Sequence, residues 1–236
     1  LGGAGYGGYG STGYFAYKAG SVYGTSSMPL LLGSGGAAEF AGGRGGNGGG
    51  RIRLMVSGTA TINGVLSANG RTGVTNGGGG SGGSVYAQIG TLAGSGSITA
   101  HGGDGMDAGG GGGGGRIAIY YTASSFSPSS ITVAAGAAGP RTSGQSTVTQ
   151  AGSMFLLDRY TDDGGGNVFL NSGYEMNTDF DGSRQSIYIY PSTDIHCGSS
   201  VSSIDISTAT FTDLGSSWTC SSALLRTVNV SSTYLH

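Results

Sequence analysis

The chain has 236 residues, of which 53 are glycine and only 9% are charged. That balance excludes a solvated disordered tail, which needs more charge, and a helical globule, because each glycine inside a helix costs about 1 kcal/mol. The net charge of −2 conceals a division: residues 1–157 hold seven Lys/Arg and three Asp/Glu, and residues 158–236 hold three and nine. Neither part has the clustered bases with interleaved aromatics that a phosphate backbone requires, so nucleic acid is not an expected partner. No apolar run is long enough to span a membrane, and no signal peptide opens the chain, which begins and ends in mid-pattern like a segment of something longer.

Residues 1–50 open on "LGGAGYGGYGSTGYFAYKAG", with Tyr6 and Tyr9 set among glycines and Tyr14 and Tyr17 flanking Phe15. Rings there either fill the space that glycines leave empty or form a glycan-stacking face, for which Tyr6 and Tyr9 are the candidates. Gly5-x-Gly7-x-x-Gly10 matches the dinucleotide fingerprint literally. It lacks the preceding strand and following helix that would present a helix N-terminus to a pyrophosphate.

From Arg51 the chain repeats. Units start at Arg51, Ser84 and Arg116, at nearly equal intervals. Gly64, Leu66, Ala68 and Gly70 recur one unit later as Gly96, Ile98, Ala100 and Gly102, all four at the same offset. Each unit offers two short strands of period 2. In the first, Ile52, Leu54 and Val56 share a face, and Ile62 to Ala68 continues after a turn at "SGTA". The second offers Val85, Ala87 and Ile89, then Ile98 and Ala100; the third offers Ile117 and Ile119, then Ile131 and Val133.

Glycine clusters keep phase with these strands, at Gly42 to Gly50, Gly77 to Gly83 and the seven consecutive glycines Gly109 to Gly115. A flexible linker has no reason to keep phase. Ordering seven glycines costs on the order of 10 kcal/mol, so order requires neighbouring segments that share hydrogen bonds, as extended polyglycine II segments do. Gly79-Gly80-Ser81-Gly82-Gly83 also matches the nucleophile-elbow pattern, but no His or acid takes a matching position. "GGDGMD", Gly102 to Asp107, fits the first six positions of the calcium nonapeptide repeat, and Asp104 and Asp107 are its candidate ligands. The alternative reading is a pair of solvated carboxylates at a turn.

After Leu157 glycine thins and Ser, Thr and Asp rise, with strands expected at Val168–Leu170, Ser186–Tyr190, Val201–Ser207 and Leu224–Val230. Asp162 and Asp163, within a cluster that begins at Asp158, are a second candidate calcium site. Paired carboxylates for glycoside cleavage are the catalytic alternative, although Asp is also favoured in turns for its local hydrogen bonding. His101, His196 and His236 lack metal-ligand spacing. Cys197 and Cys220 either close one disulfide or are two buried thiols, and Asn229-Val230-Ser231 is a glycosylation sequon. Both features point to an extracellular setting.

The stretches "GGGGSGGS", "GSGSITAHGGDG" and "GGGGGGGRIAIYY", with "YGTSSMPLLLGSGG" and "GGRGGNGGGRIRL" before them, resemble glycine-rich segments of large secreted or cell-surface proteins of bacteria, plants and protists. The likeness covers roughly residues 1–160. It implies parallel β-helices in structural or adhesive roles and brings no catalytic residues. The glycine runs also resemble the glycine sandwiches of some phage tail-fibre adhesins, although the strands between them differ.

The expected fold is all-β: a β-solenoid (parallel β-helix) over 1–157, its successive units alike in length, with glycine-rich arms projecting on one side, either as an ordered polyglycine II bundle or as mobile loops. Residues 158–236 then form further coils or a small β domain. A β-sandwich or roll is the alternative. The expected function is an extracellular structural module of a fibre, filament or matrix that associates with itself or with other matrix subunits. A glycan-binding adhesin and, behind it, a polysaccharide-cleaving enzyme are the alternatives. No cofactor is expected beyond calcium.

Overall fold

The computed structural model describes residues 2–14, 18–25, 28–38 and 42–140, together with the backbone of seven strands between Ser153 and Thr219. Apart from one 3-10 turn at Pro128–Ser130, the regular elements among the described residues are all strands. They are β1 (Arg51–Thr61), β2 (Val65–Ser67), β3 (Ser84–Ala93), β4 (Ser97–Thr99), β5 (Arg116–Ser124), β6 (Ile131–Thr132) and β7 (Ser153–Asp158). Beyond these come β8 (Asn167–Leu170), β9 (Tyr174–Met176), β10 (Ser186–Ile189), β11 (Asp194–Cys197), β12 (Thr210–Asp213) and β13 (Ser217–Thr219).

Every pair among these strands is parallel. The long strands form one sheet in the order β1-β3-β5-β7, and the short ones form a second, β2-β4-β6. Register aligns Arg51 with Ser84, Ser84 with Arg116 and Arg116 with Ser153. In the second sheet Leu66 pairs with Ile98 and Ile98 with Ile131. Alternation then puts every second side chain between the two sheets. Val85, Ala87, Ile89, Leu92, Ile98, Ile117, Ile119 and Ile131 are buried there in one apolar cluster. The later strands form two further three-stranded sheets, β8-β10-β12 and β9-β11-β13.

Two expectations need correction. "SGTA" is not a turn: β1 runs through it to Thr61, and only its register against β3 shifts, between Val56 and Thr59. One extra residue is taken up there as a bulge beside Gly58. The closed β-solenoid is also not found. The described strands form separate three- and four-stranded parallel sheets, and no third described strand closes a coil within a repeat. After each short strand the chain runs out and back through glycine, over 68–83 and again over 100–115, before the next long strand starts.

Nor do the glycines project as arms. Gly77 to Gly83 and Gly109 to Gly115 are buried. Their hydrogen bonds change direction with a period of three, the polyglycine II period. Gly77, Gly80 and Gly83 donate to Val74, Arg71 and Ala68; Gly78 and Ser81 donate to Ala37 and Ser34; Gly79 and Gly82 donate to Gly110 and Gly113. A Cβ on Gly79 would lie 1.8 Å from the carbonyl oxygen of Gly103, and one on Gly112 would lie 2.2 Å from that of Gly80. Backbones therefore approach more closely than any side chain allows.

Candidate functional site

The most elaborate polar cluster lies where the N-terminal glycine segment crosses the starts of β3 and β5. Tyr6 is fully buried at 0% exposure, and its hydroxyl lies 2.6 Å from Ser84 Oγ. Ser84 donates its one proton to the Leu31 carbonyl at 2.5 Å, so Tyr6 is the donor to Ser84. The Tyr23 ring stands 4.8 Å from the Tyr6 ring, and the buried Arg116 guanidinium carbon lies 5.7 Å from the Tyr6 centroid. Arg116 Nε donates to the Tyr23 carbonyl at 3.2 Å. Burial pushes the Tyr6 pKa above its ordinary 10.0, against the opposing pull of the Ser84 hydrogen bond and the Arg116 charge.

This arrangement is a clamp. It holds three separate stretches of chain to one another and keeps the tyrosine neutral. The ring of Tyr6 offers no face to a glycan, which removes it from the stacking surface expected of the tyrosine-rich opening. Tyr9 remains 39% exposed and Tyr14 46%.

The "GGDGMD" stretch folds as a turn between two glycine segments. Asp107 sits at its tip with φ 52°, and the Gly109 amide closes it on the Met106 carbonyl at 2.8 Å. Asp104 spends one carboxylate oxygen on the Ala137 amide at 2.7 Å, and its own carbonyl accepts from Gly73. Among the described residues no three Asp, Glu, His or Cys side chains gather as an ion would require. Asp162, Asp163, Cys220 and Asn229 lie outside the described residues, and Cys197 is placed only as the last backbone position of β11.

Asp104 belongs to a series that sequence reasoning missed. Asn63 Oδ1 accepts from the Ser95 amide and Asn69 Oδ1 from the His101 amide, while Asp104 reaches on to Ala137, each of them bonding to the next repeat. Two side chains of the first unit thus cap backbone of the second, and one of the second caps the third. Asn63 and Asn69, on either side of β2, were the available signal, whereas Asp104 stands five residues beyond β4. His101 adds a side-chain bond of 2.6 Å to Thr132 Oγ1, and partial burial holds its pKa below the ordinary 6.5. Ser84 and Arg116 were legible only as strand starts, because nothing local marks their partners.

Two hollows remain. A groove of about 480 Å³ is walled by Gly2 to Gly5, Lys18 to Tyr23, Ser34, Gly35 and Ala37. A smaller one of about 420 Å³ lies on the long sheet among Met55, Val56, Ser57, Gln88, Ile89, Gly90 and Thr122. The first holds Lys18 and Tyr23 as its ionisable side chains, and the second holds no acid or base. Among the described residues, no helix is long and apolar enough to cross a membrane. Compared with known proteins, the chain matches no family model, no curated relative and no solved structure.

Proposed function

We propose that the chain is an extracellular, non-catalytic structural protein, a module or subunit of a surface fibre, filament or matrix. The observation that carries this reading is the buried glycine layer, in which order comes from backbone hydrogen bonds running in three directions between segments distant in sequence. Such a layer resists extension and proteolysis, since no single segment can be pulled free without breaking bonds to several neighbours. The chain as a whole carries little charge, 9% of its residues. The resemblance of residues 1–160 to glycine-rich segments of secreted and cell-surface proteins points the same way.

A glycan-binding adhesin is the second reading, and the exposed rings of Tyr9 and Tyr14 favour it. Electron microscopy of the purified chain tests the first reading, with regular filaments or sheets as the expected result. Isolated particles at every concentration, with saturable binding on a glycan array that is lost in Tyr9→Ala, would replace the structural reading by the adhesive one.

A further inference from the structure

The apolar layer between the two sheets is sealed on one side and open on the other. In β3 the inward side chains Val85, Ala87 and Ile89 are 0–3% exposed, and in β5 Ile117 and Ile119 are at 0%. Their register partners in β1, namely Ile52, Leu54 and Val56, are only half-buried, as are Ile62 and Leu66 beyond them. The sheet order places β1 at an end, so its outer edge has no strand beside it among the described residues. The same side-chain positions thus go from half-exposed to sealed with the addition of one neighbouring strand. Edges of this kind pair with further strands unless something blunts them. Here the blunting is slight: two arginines, Arg51 and Arg53, and the bulge after Val56.

We propose that residues 51–57 form the docking surface for a second copy of this chain, which pairs through its own β1, antiparallel, about a two-fold axis at Leu54. In that register Ile52 faces Val56 of the second copy, Leu54 faces its counterpart, Arg53 faces Met55 and Arg51 faces Ser57. Inward residues meet inward residues, as a half-buried strand requires. Each arginine lies directly opposite an uncharged side chain, because both sit in the first three positions of the strand. Parallel in-register pairing would instead set Arg51 on Arg51 and Arg53 on Arg53, which like charges disfavour. The paired segment ends where the bulge begins. The contact uses one patch twice and closes on itself, so β1 joins copies in pairs and does not extend a chain of them. The inference rests on the assembly reading and names the face through which copies meet.

Sedimentation velocity over a concentration series, with the wild-type chain and Leu54→Lys, is the primary test. The wild type is expected to reach at least twice the monomer mass, and the variant to weaken the β1 association at least a hundredfold. Should the variant misfold by circular dichroism, a mixture of Arg53→Cys and Met55→Cys chains decides. Oxidation is expected to yield a 53–55 cross-link, identified by peptide mass and so distinct from any involving Cys197 or Cys220. Monomers at every concentration overturn both this proposal and the assembly reading. Oligomers that persist in Leu54→Lys, or a mixture that gives no 53–55 cross-link, overturn the β1 contact and leave assembly standing. Dimers without filaments in the microscope uphold the contact and remove the fibre.

Discussion

Each repeat is ordered in two different ways along its length. Between the sheets, order comes from aliphatic side chains: Ile117, Ile119 and Ile131 are buried by neighbours that take the same positions one repeat away. A few residues on, in the glycine layer, there are few side chains to bury, and order comes mainly from the backbone, as when Gly80 donates to Arg71 and Gly103 donates to Gly80. The first region gains from carbon, at roughly 25 cal/mol per Å² of apolar surface buried. The second excludes it, because each amide reaches its partner only where no Cβ intervenes. A mutation's sign should therefore depend on which region it falls in.

The sharpest test adds one carbon to the glycine layer. Gly112→Ala forces a methyl to 2.2 Å from the Gly80 carbonyl oxygen, and the backbone there is pinned on its other sides. We expect a loss of about 3 kcal/mol in urea unfolding, at the upper end of overpacking costs. A loss below the assay error would mean the layer yields like an ordinary loop. The converse test removes one carbon from the aliphatic layer: Ile119→Val should cost about 1 kcal/mol. Were it to exceed Gly112→Ala, the contrast between the regions would be reversed.

Alkali probes the clamp that joins the two regions. Tyr6 ionises in the unfolded chain near pH 10.0 and only above that when folded, so its contribution is complete below pH 10 and is lost as pH rises through the folded value. Thermal melts should fall more steeply above pH 10 in the wild type than in Tyr6→Phe; parallel curves would show that Tyr6 does not govern alkaline unfolding. The smallest effect is expected at Gly64, where a Cβ would meet nothing within 4 Å. Gly64→Ala should shift stability by less than about 0.5 kcal/mol, the usual range for surface changes. A larger loss would show that glycine matters outside the layer too.

Much of this was legible in the sequence, and the residues explain what was not. The starts at Arg51, Ser84 and Arg116 carry a repeat that reappears as parallel register, because a periodic pattern leaves stacked copies one common alignment. Strands at Val168–Leu170 and Ser186–Tyr190 were read close to β8 and β10, while β9, β11, β12 and β13 were not anticipated. Those expected at Val201–Ser207 and Leu224–Val230 lie outside the described residues. The coil closure was misjudged because two strands per repeat say nothing about where the chain goes between them. Tyr6 was misplaced for a similar reason: its burial depends on Ser84 and Arg116, which stand two and three repeats further along the chain. Local pattern does not reach that far.

The same distance sets an order of events during synthesis. Residues 3–11 leave the ribosome before their partners, yet Ser11 donates to the Gly111 carbonyl, Gly7 and Gly8 to Gly114, and Gly113 donates back to Ala4. Closing a loop as long as the one between Ser11 and Gly111 is slow compared with zipping one strand onto its neighbour. At roughly 5–20 residues per second, the opening segment waits on the order of 5–20 seconds for its partners to be made. A segment made about a hundred residues before its partners completes its hydrogen bonds only after they are made.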